Sequence, residues 1–265
     1  MKNKKELGQN WLKNREILEE IADLASDVSL DKNAGQDSEK TEVSDGDTKI
    51  CVEIGPGLGF LTSSLLKRFE KVIAVEYDAE LARKLPGSFP GKNLEVVNED
   101  ILKFDFSGIR EKYVVAGNIP YYITSPIIEK LLTLENLPER IVLLVQKEVA
   151  ERILSEKETV LSLFVKNRAE VEAGPVVLKS EFTPPPKVDS EVIVMEPHRP
   201  GVGEEVFKLI KRSFSNPRKK LVHNLAEIKT KDELAMILKR IGVSADARPG
   251  ELHLDDYQNL FNAIS

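Results

Sequence analysis

The sequence contains little of what several protein classes depend on. Cys51 is the single cysteine in 265 residues, which excludes an internal disulfide and a cysteine-rich zinc site. The histidines lack the spacing of zinc ligands, so we expect no metal site. No uncharged apolar run approaches the ~20 residues of a membrane span, and none follows the basic N-terminus as a secretory signal requires. We expect a cytoplasmic protein without a membrane partner, and we predict a monomer.

An excess of positive charge is also missing from the chain as a whole. The formal net charge is -6, whereas nucleic-acid-binding domains usually have a basic surface. The basic residues are unevenly distributed, however. Between Arg199 and Lys220 there are seven Lys or Arg and two Glu, a local excess of five. A solvated helix face is one interpretation of such a run, and a phosphate-binding surface is the other.

Short apolar segments alternate with helical patterns through the first half of the chain. We predict strands at 49–54, 72–75, 94–97, 113–116 and 141–145, and helices at 16–25, 60–69, 79–85 and 125–132. The uninterrupted Ile/Val/Leu run at 141–145 is typical of a strand buried on both faces. This alternation predicts an α/β fold with a mostly parallel, doubly wound sheet. Residues 169–177 and 188–195 are predicted to form a terminal pair of strands.

The composition also indicates how the chain divides. Residues 31–49 are almost devoid of bulky apolar side chains, so we predict a flexible surface loop there. From residue 203 onward the pattern is helical. We therefore predict a first domain at 1–197 and a small helical C-terminal domain at 198–265.

A glycine-rich turn, EIGPGLG at 53–59, follows the first of these strands and opens a helix. Gly55 and Gly57 let the backbone approach a ligand closely, and the helix N-terminus offers it free N–H groups. Glu76 ends the next strand, where a carboxylate can accept both ribose hydroxyls of a nucleoside, and Asp100 follows the third strand, where it can bind an adenine amine. A purely structural turn is the alternative for the loop alone. With both acids the sequence favours a nucleoside ligand, either NAD or S-adenosylmethionine.

The tetrapeptide Asn118-Ile119-Pro120-Tyr121 favours S-adenosylmethionine. It ends the strand at 113–116, and ligands of open α/β sheets bind at the carboxyl ends of strands. The Asn118 oxygen and a carbonyl beside Pro120 can accept the two N–H groups of an adenine amine and direct its lone pair at a methyl group. Tyr121 offers a face on which the base can stack. An ordinary Asn-x-Pro turn is the alternative interpretation.

These motifs together resemble the KsgA-type ribosomal RNA adenine dimethyltransferases over nearly the whole chain. Further similar segments are KELGQNWL at 5–12, QKEVAER at 146–152, FTPPPKVDS at 182–190 and RPGEL at 248–252. The resemblance implies a Rossmann-like class I methyltransferase domain at 1–197 and S-adenosylmethionine as cofactor. It implies these cofactor contacts: Asn10, Leu12, Gly55, Gly57, Glu76, Asp100 and Asn118. It also implies that Phe182 lies against the target base opposite Tyr121, and that 118–121 is the catalytic segment.

The resemblance also implies a partner for the basic C-terminal segment. We predict that it binds RNA through Lys211, Arg212, Arg218, Lys219 and Lys220, and that the substrate is small-subunit rRNA in the immature small ribosomal subunit. The expected reaction is N6,N6-dimethylation of two adjacent adenines near the 3′ end of this RNA. One departure from the family is the short, acidic segment at 154–165, which puts a target-side contact in doubt.

Two other functions remain open at this point. The Erm enzymes methylate adenine in large-subunit rRNA and share the Asn-Ile-Pro-Tyr motif, so Ile119 favours them, whereas 184–190 and the Arg248-Pro249 segment favour the KsgA type. A non-catalytic assembly or transcription factor of the same fold is the third possibility, and the intact tetrapeptide is evidence against it.

Overall fold

The computed structural model of the chain describes residues 10–26 and 49–265. The predicted loop at 31–49, apart from Lys49, and the predicted family segment before Asn10 lie outside the described residues. The described residues fall into two compact units. The first comprises 10–26, 49–150 and 171–197, and the second comprises Glu151–Glu170 and His198–Ser265.

The first unit is built on a seven-stranded sheet. In chain order, the strands are β1 (Trp11–Leu12), β2 (Ile50–Ile54), β3 (Lys71–Glu76), β4 (Leu94–Asn98), β5 (Tyr113–Asn118), β6 (Arg140–Gln146), β7 (Ala169–Val177), β8 (Phe182–Thr183) and β9 (Ser190–Pro197). β1 and β8 form a separate two-stranded sheet, and the other seven strands form the large sheet. The strand order in the sheet is β4-β3-β2-β5-β6-β9-β7. The strands from β4 to β6 pair in parallel, and β9 is antiparallel to β6. The α/β prediction is confirmed, and the two late strands predicted as a pair are neighbours at one end of the sheet, with β9 between β6 and β7.

Parallel pairing brings the carboxyl ends of four strands to one edge of the sheet. Ile54 at the end of β2 is in register with Val75 of β3 on one side and with Gly117 of β5 on the other. Glu76 is in register with Asn98 at the end of β4. A side chain at Gly117 would place its Cβ 2.9 Å from the Ile54 carbonyl oxygen, so glycine allows this close approach. All the predicted nucleoside-binding motifs follow strands that end at this edge.

The helices of the first unit cover the faces of the sheet. They are α1 (Arg15–Ser26), α2 (Phe60–Leu65), α3 (Ala79–Lys84) and α4 (Thr124–Leu131); α5 (Lys147–Leu154) follows β6 and continues into the second unit. Asp78 caps α3 by accepting a hydrogen bond from the Glu80 amide at 2.9 Å. The helix predicted at 60–69 ends at Leu65, but Phe69 is still buried in the apolar core. The apolar sequence pattern therefore continues past the helix because Phe69 is a core residue, although it is not helical.

The second unit is helical and has its own apolar core. Its helices are α6 (Val160–Lys166), α7 (Glu204–Ser213), α8 (Leu221–Asn224), α9 (Lys231–Arg240) and α10 (Leu254–Ile264). Glu151–Glu170 belong to this unit, whereas the sequence pattern assigned them to the first domain. The reason is that Leu163 is buried in the core of this unit, and the Phe164 ring meets the Phe207 ring edge to face at 5.6 Å. Over the described ranges, no helix has both the length and the apolar character needed to span a bilayer.

Candidate active site at the carboxyl edge of the sheet

The glycine-rich turn between β2 and α2 adopts a conformation that suits glycine. Gly55 and Gly57 have φ angles of 65° and 58°, in the left-handed region that other residues rarely enter. The Gly55 amide donates a hydrogen bond to the Val75 carbonyl oxygen at 2.9 Å, which fixes the turn to β3. The loop backbone is open at Gly55, where an added Cβ would meet nothing within 4 Å, whereas the Trp11 side chain lies 3.4 Å from a Cβ built at Gly57.

Glu76 connects this loop to the end of β3. One carboxylate oxygen accepts a hydrogen bond from the Gly57 amide at 3.0 Å, and the other accepts one from the Asp78 amide at 2.8 Å. The side chain is buried, and desolvation raises the pKa of Glu76 although both backbone amides favour its charged form. Each carboxylate oxygen has two acceptor positions, so the Glu76 side chain retains acceptor capacity for a ligand hydroxyl.

The end of β4 is held beside Glu76. The Asn98 side-chain amide donates to the Glu76 carbonyl oxygen at 2.8 Å, and the Glu99 amide donates to the same oxygen at 3.1 Å. Asp100 accepts a hydrogen bond from the Leu102 amide at 3.0 Å, which forms a tight turn and orients its carboxylate. Asp100 is half-buried, as a residue that meets a ligand at the wall of a cavity would be.

The catalytic tetrapeptide predicted at 118–121 begins where β5 ends. The Asn118 side-chain nitrogen donates to the Asn10 carbonyl oxygen at 3.1 Å, so the amide oxygen is the atom left to accept a hydrogen bond. The Tyr121 hydroxyl and the Ser190 hydroxyl are 2.7 Å apart, which anchors the ring to β9. Burial raises the pKa of Tyr121. Ile119 is itself buried, so it positions its neighbours.

A single cavity of about 340 Å³ joins the glycine turn, the acids and the tetrapeptide. This volume lies in the range of small-ligand pockets, which starts at roughly 300 Å³. The cavity is lined by the following residues of the predicted site: Asn10, Leu12, Gly55, Gly57, Glu76, Asp100, Asn118, Ile119, Pro120 and Tyr121. The sequence motifs, some of which lie more than a hundred residues apart, therefore form one site.

Phe182 differs from the other predicted site residues. Its side chain is 3% exposed and belongs to the apolar core, and it is not part of the cavity lining. The reason is the pairing of β8 with β1, which places Phe182 opposite the buried Leu12. The stacking role predicted for Phe182 does not match this position.

The cavity is lined by more acidic side chains than the sequence motifs predicted. Its described lining contains the carboxyl groups of Glu53, Glu76, Glu99 and Asp100, and no Lys, Arg or His. Such a site suits a cationic ligand and disfavours a pyrophosphate, which would need N–H groups or positive charge to compensate it. Among the acids, Glu53 and Glu99 were not predicted as site residues. The available signals were the position of Glu53 two residues before Gly55 and that of Glu99 directly before Asp100.

The mouth of the cavity is apolar and aromatic. Four of its lining side chains are among the large exposed hydrophobic residues of the described chain: Phe60, Tyr77, Leu102 and Tyr122. Tyr77 and Tyr122 are each 65% exposed. Exposed aromatic faces at a cavity mouth are suited to stacking on unpaired bases.

The predicted RNA-binding residues lie in the second unit and differ in their pairing. Arg212 forms an ion pair with Glu227 at 2.5 Å, and Lys220 forms one with Asp246 at 2.6 Å. Lys211, Arg218 and Lys219 are exposed, and none of their side chains has an ion-pair partner among the described residues. These three are therefore the side chains of the cluster most readily available to phosphates.

Comparison with known proteins identifies relatives along the whole chain. A "Ribosomal RNA small subunit methyltransferase A" of Mycoplasma capricolum is 33% identical, with 100% of this chain and 98% of that protein covered. The protein of the same name from Ligilactobacillus salivarius is 36% identical over 98% of this chain and 90% of its own.

Two solved structures are similar over nearly the full length. The 23S rRNA methyltransferase ErmE has a TM-score of 0.74 at 25% identity, with 96% of this chain and 99% of that chain covered. A dimethyladenosine transferase from Plasmodium falciparum has a TM-score of 0.73 at 26% identity, with 96% and 98% covered. The family model for ribosomal RNA adenine dimethylases matches residues 1–265. The chain therefore belongs to the ribosomal RNA adenine dimethylase family of rRNA methyltransferases, as its sequence motifs predicted.

Proposed function

We propose that this protein uses S-adenosylmethionine to dimethylate the N6 amines of two adjacent adenines near the 3′ end of small-subunit rRNA during ribosome assembly. The observation that carries the proposal is the single cavity shared by the glycine turn, Glu76 and the tetrapeptide at 118–121. The relatives at 33% and 36% identity, both named for the small subunit, support this target. We propose that the protein acts as a monomer.

The residues of the cavity fit S-adenosylmethionine in shape and charge. Gly55 leaves the backbone open, and the four carboxyl groups complement a ligand of net positive charge. Glu76 would accept the ribose hydroxyls on the free acceptor positions of its oxygens, and Asp100 would accept the adenine amine. Asn10, Leu12 and Asn118 would complete the contacts. When bound, the cofactor supplies an electrophilic methyl group.

The tetrapeptide would prepare the target adenine amine for reaction. The nitrogen is a poor nucleophile because its lone pair is delocalised into the ring. The Asn118 amide oxygen, left free by the bond of its nitrogen to Asn10, would accept one N–H, and a carbonyl beside Pro120 would accept the other. These two acceptors would orient the lone pair toward the methyl group. Tyr121, anchored by Ser190, would support the base.

The target base must leave its stack to react, because an adenine amine inside a stacked helix cannot enter a cavity at the strand ends. We propose that the exposed rings of Tyr77 and Tyr122 at the cavity mouth stack on unpaired bases of the RNA. We also propose that the exposed basic residues of the second unit bind RNA phosphates. The charge of Lys211, Arg218 and Lys219 is not compensated by ion pairs within the described residues.

The decisive experiment is methyl transfer from labelled S-adenosylmethionine to undermethylated small and large ribosomal subunits, with the modified base mapped. We expect label on adjacent adenines of the small-subunit RNA. Label confined to large-subunit RNA would instead assign the chain a 23S rRNA methyltransferase activity, the one for which ErmE is named and whose fold this chain shares. The Asn118→Ala variant is the control for the catalytic segment, since it should greatly slow labelling of either subunit.

A further inference from the structure

A second group of exposed apolar residues lies outside the cavity and has no role in the proposed reaction. It consists of Val176, Leu178 and Val188, which are 45%, 55% and 43% exposed. Exposed apolar residues scattered singly are ordinary on a protein surface, whereas a contiguous group of them often marks a binding surface. We call these three residues the aliphatic patch.

The pairing of β7 with β9 brings the members of the aliphatic patch together. Gly174 of β7 lies against Val192 of β9, since a Cβ built at Gly174 would be 2.8 Å from the Val192 Cβ. Further along, the Lys179 amide donates a hydrogen bond to a side-chain oxygen of Asp189 at 2.9 Å. The two segments therefore run in opposite directions. The two members of the patch that directly precede Lys179 and Asp189 lie close together.

The aliphatic patch lies at the same edge of the sheet as the tetrapeptide at 118–121. Ser190 begins β9 and is in register with Gln146, the last residue of β6. Its hydroxyl is 2.7 Å from the hydroxyl of Tyr121. Val188 comes two residues before Ser190, so their Cα atoms are at most roughly 7 Å apart. The patch is therefore the surface next to Tyr121 on the β9 side of the proposed target-base site.

Free positive charges adjoin the aliphatic patch. Lys179 and Lys187 are each next to one of its residues in the chain, both are exposed, and neither side chain has an ion-pair partner among the described residues. The nearby carboxylates of Asp189 and Glu181 each accept a hydrogen bond within the protein, from the Lys179 amide and the Asn14 side chain. Apolar side chains beside free cations suit a partner with apolar faces and negative charge. Single-stranded nucleic acid has both, in its bases and its phosphates.

Extrusion of the target adenine creates a need for such a surface. When a base leaves its stack, the neighbouring base loses a stacking partner, which costs free energy. Proteins that unstack bases commonly place apolar side chains such as Leu against the base faces that become exposed. An apolar surface next to the target-base site can serve this purpose.

We propose that the aliphatic patch binds the nucleotide next to the target adenine, with Leu178 and Val188 against the face of its base and Lys179 and Lys187 at the adjoining phosphates. The inference rests on the proposed methylation of rRNA. It assigns an RNA contact to the first unit, separate from the basic residues of the second unit. The contact holds the neighbouring base while the target base is in the cavity.

Site-specific cross-linking tests the position of the RNA on this surface. Cys51 is the only cysteine of the chain and is buried, so Leu178→Cys in the full chain introduces one exposed thiol for a photoreactive reagent. With undermethylated small ribosomal subunits, we expect cross-links to nucleotides directly beside the methylated adenines. Met236→Cys is the matched control. Met236 is 68% exposed but lies on α9 of the second unit, so its cross-links should not fall beside these adenines.

A second variant measures the contribution of the apolar contact to RNA binding. Leu178→Asn combined with Val188→Thr makes the patch polar at similar side-chain volume, and both positions are exposed, so the fold should be retained. We expect affinity for a protein-free RNA fragment that contains the two adenines to fall on the order of tenfold, as for loss of a partly buried Leu and Val. Affinity for S-adenosylmethionine should not change. Met236→Asn is the control and should bind the fragment as the wild type does.

Three outcomes would overturn the inference. The first is a probe at position 178 that gives no cross-link beside the methylated adenines. The second is a cross-link from this position to a ribosomal protein alone, which would assign the patch to a protein partner. The third is unchanged affinity of the Leu178→Asn, Val188→Thr variant for the RNA fragment. Failure of the wild type to methylate small-subunit RNA would instead overturn the proposed function.

Discussion

The side-chain nitrogen of Asn118 donates a hydrogen bond to the backbone oxygen of Asn10, 108 residues earlier, at 3.1 Å. This bond joins the segment before β1 to the end of β5. It also determines which end of the Asn118 amide is free, because the nitrogen is engaged and the oxygen is left as an acceptor. The proposed role of Asn118 toward an adenine N–H depends on this orientation.

Replacement of Asn118 by Ala should act on the methyl-transfer step. We expect a rate reduction on the order of 10²–10³-fold, as for loss of one preorganised polar partner in other enzymes. Because Asn118 also lines the cavity proposed to bind the cofactor, the rate must be measured in single turnover with both cofactor and RNA saturating. A rate near that of the wild type under these conditions would exclude the proposed amine activation, even if both ligands still bound.

Glu76→Ala should weaken S-adenosylmethionine binding by ~1.5–3 kcal/mol, the range for hydrogen bonds to charged groups. It also removes the acceptor of the Gly57 and Asp78 amides, so the glycine turn should loosen. Calorimetric affinity is the measurement. Glu95→Ala on neighbouring β4 is the control, since Glu95 is exposed, forms an ion pair with Lys71 and is absent from the cavity lining. Equal affinities for both variants would remove Glu76 from the site.

The sequence predicted this part of the molecule well because chain order and sheet geometry determine it. Gly55, Glu76, Asp100 and Asn118 each follow or end a strand of the sheet, and parallel strands bring such positions to one edge. The predicted strand at 113–116 extends to Asn118, which places the tetrapeptide directly at the sheet edge. The spacing of the motifs and the alternation of apolar segments were therefore sufficient to predict this edge of the sheet as the site.

Other features depend on contacts that no local pattern encodes. Phe182 is in the core because β8 pairs with β1, 170 residues away in the chain, as the register of Leu12 with Phe182 shows. The grouping of 151–170 with the second unit depends on the burial of Leu163 among C-terminal helices. The charge character of the cavity emerges only when Glu53, Glu76, Glu99 and Asp100 come together.

Glu53 should make the stability of the free protein depend on pH. Burial raises its pKa from 4.5 to about 8 on folding, so folding binds a proton, and its contribution to stability is complete below about pH 4.5 and is lost as the pH rises through about 8. Glu53→Gln removes this loss. We expect the variant to gain stability relative to the wild type between pH 5 and pH 8, on the order of a few kcal/mol. Denaturant unfolding at both pH values measures the difference, and a difference that does not change with pH would contradict the prediction.

The basic cluster of the second unit should bind RNA mainly through its unpaired members. Changing Lys211, Arg218 and Lys219 together to Ala should lower the salt slope of RNA binding by roughly 2–3, because about three fewer counterions are released. The control is the double change of Arg212 and Lys220 to Ala, whose charges are already paired with acids. We expect its slope to change by less than roughly 1. Equal slopes for the triple variant and the wild type would show that the cluster is only a solvated surface.

Variants at three aromatic positions should distinguish how much each ring contributes to binding the target base. Tyr121→Ala removes a ring that lines the cavity, and it should weaken base capture by ~1–3 kcal/mol, the usual value of one base–aromatic stack. Tyr122→Ala removes an exposed ring at the mouth and should have an effect of similar size if that ring stacks on the incoming base. Binding of RNA carrying a fluorescent adenine analogue measures capture separately from methyl transfer.

Phe182, the third position, requires a different substitution because it is a core residue. Phe182→Ala should destabilise the fold by roughly 3–5 kcal/mol, which would obscure any effect on the base. Phe182→Leu keeps most of the volume and should cost less than about 1.5 kcal/mol. With the ring buried against β1, we expect this variant to capture the base almost as well as the wild type. A loss as large as that of Tyr121→Ala would instead show that Phe182 leaves the core to stack on the base when RNA binds.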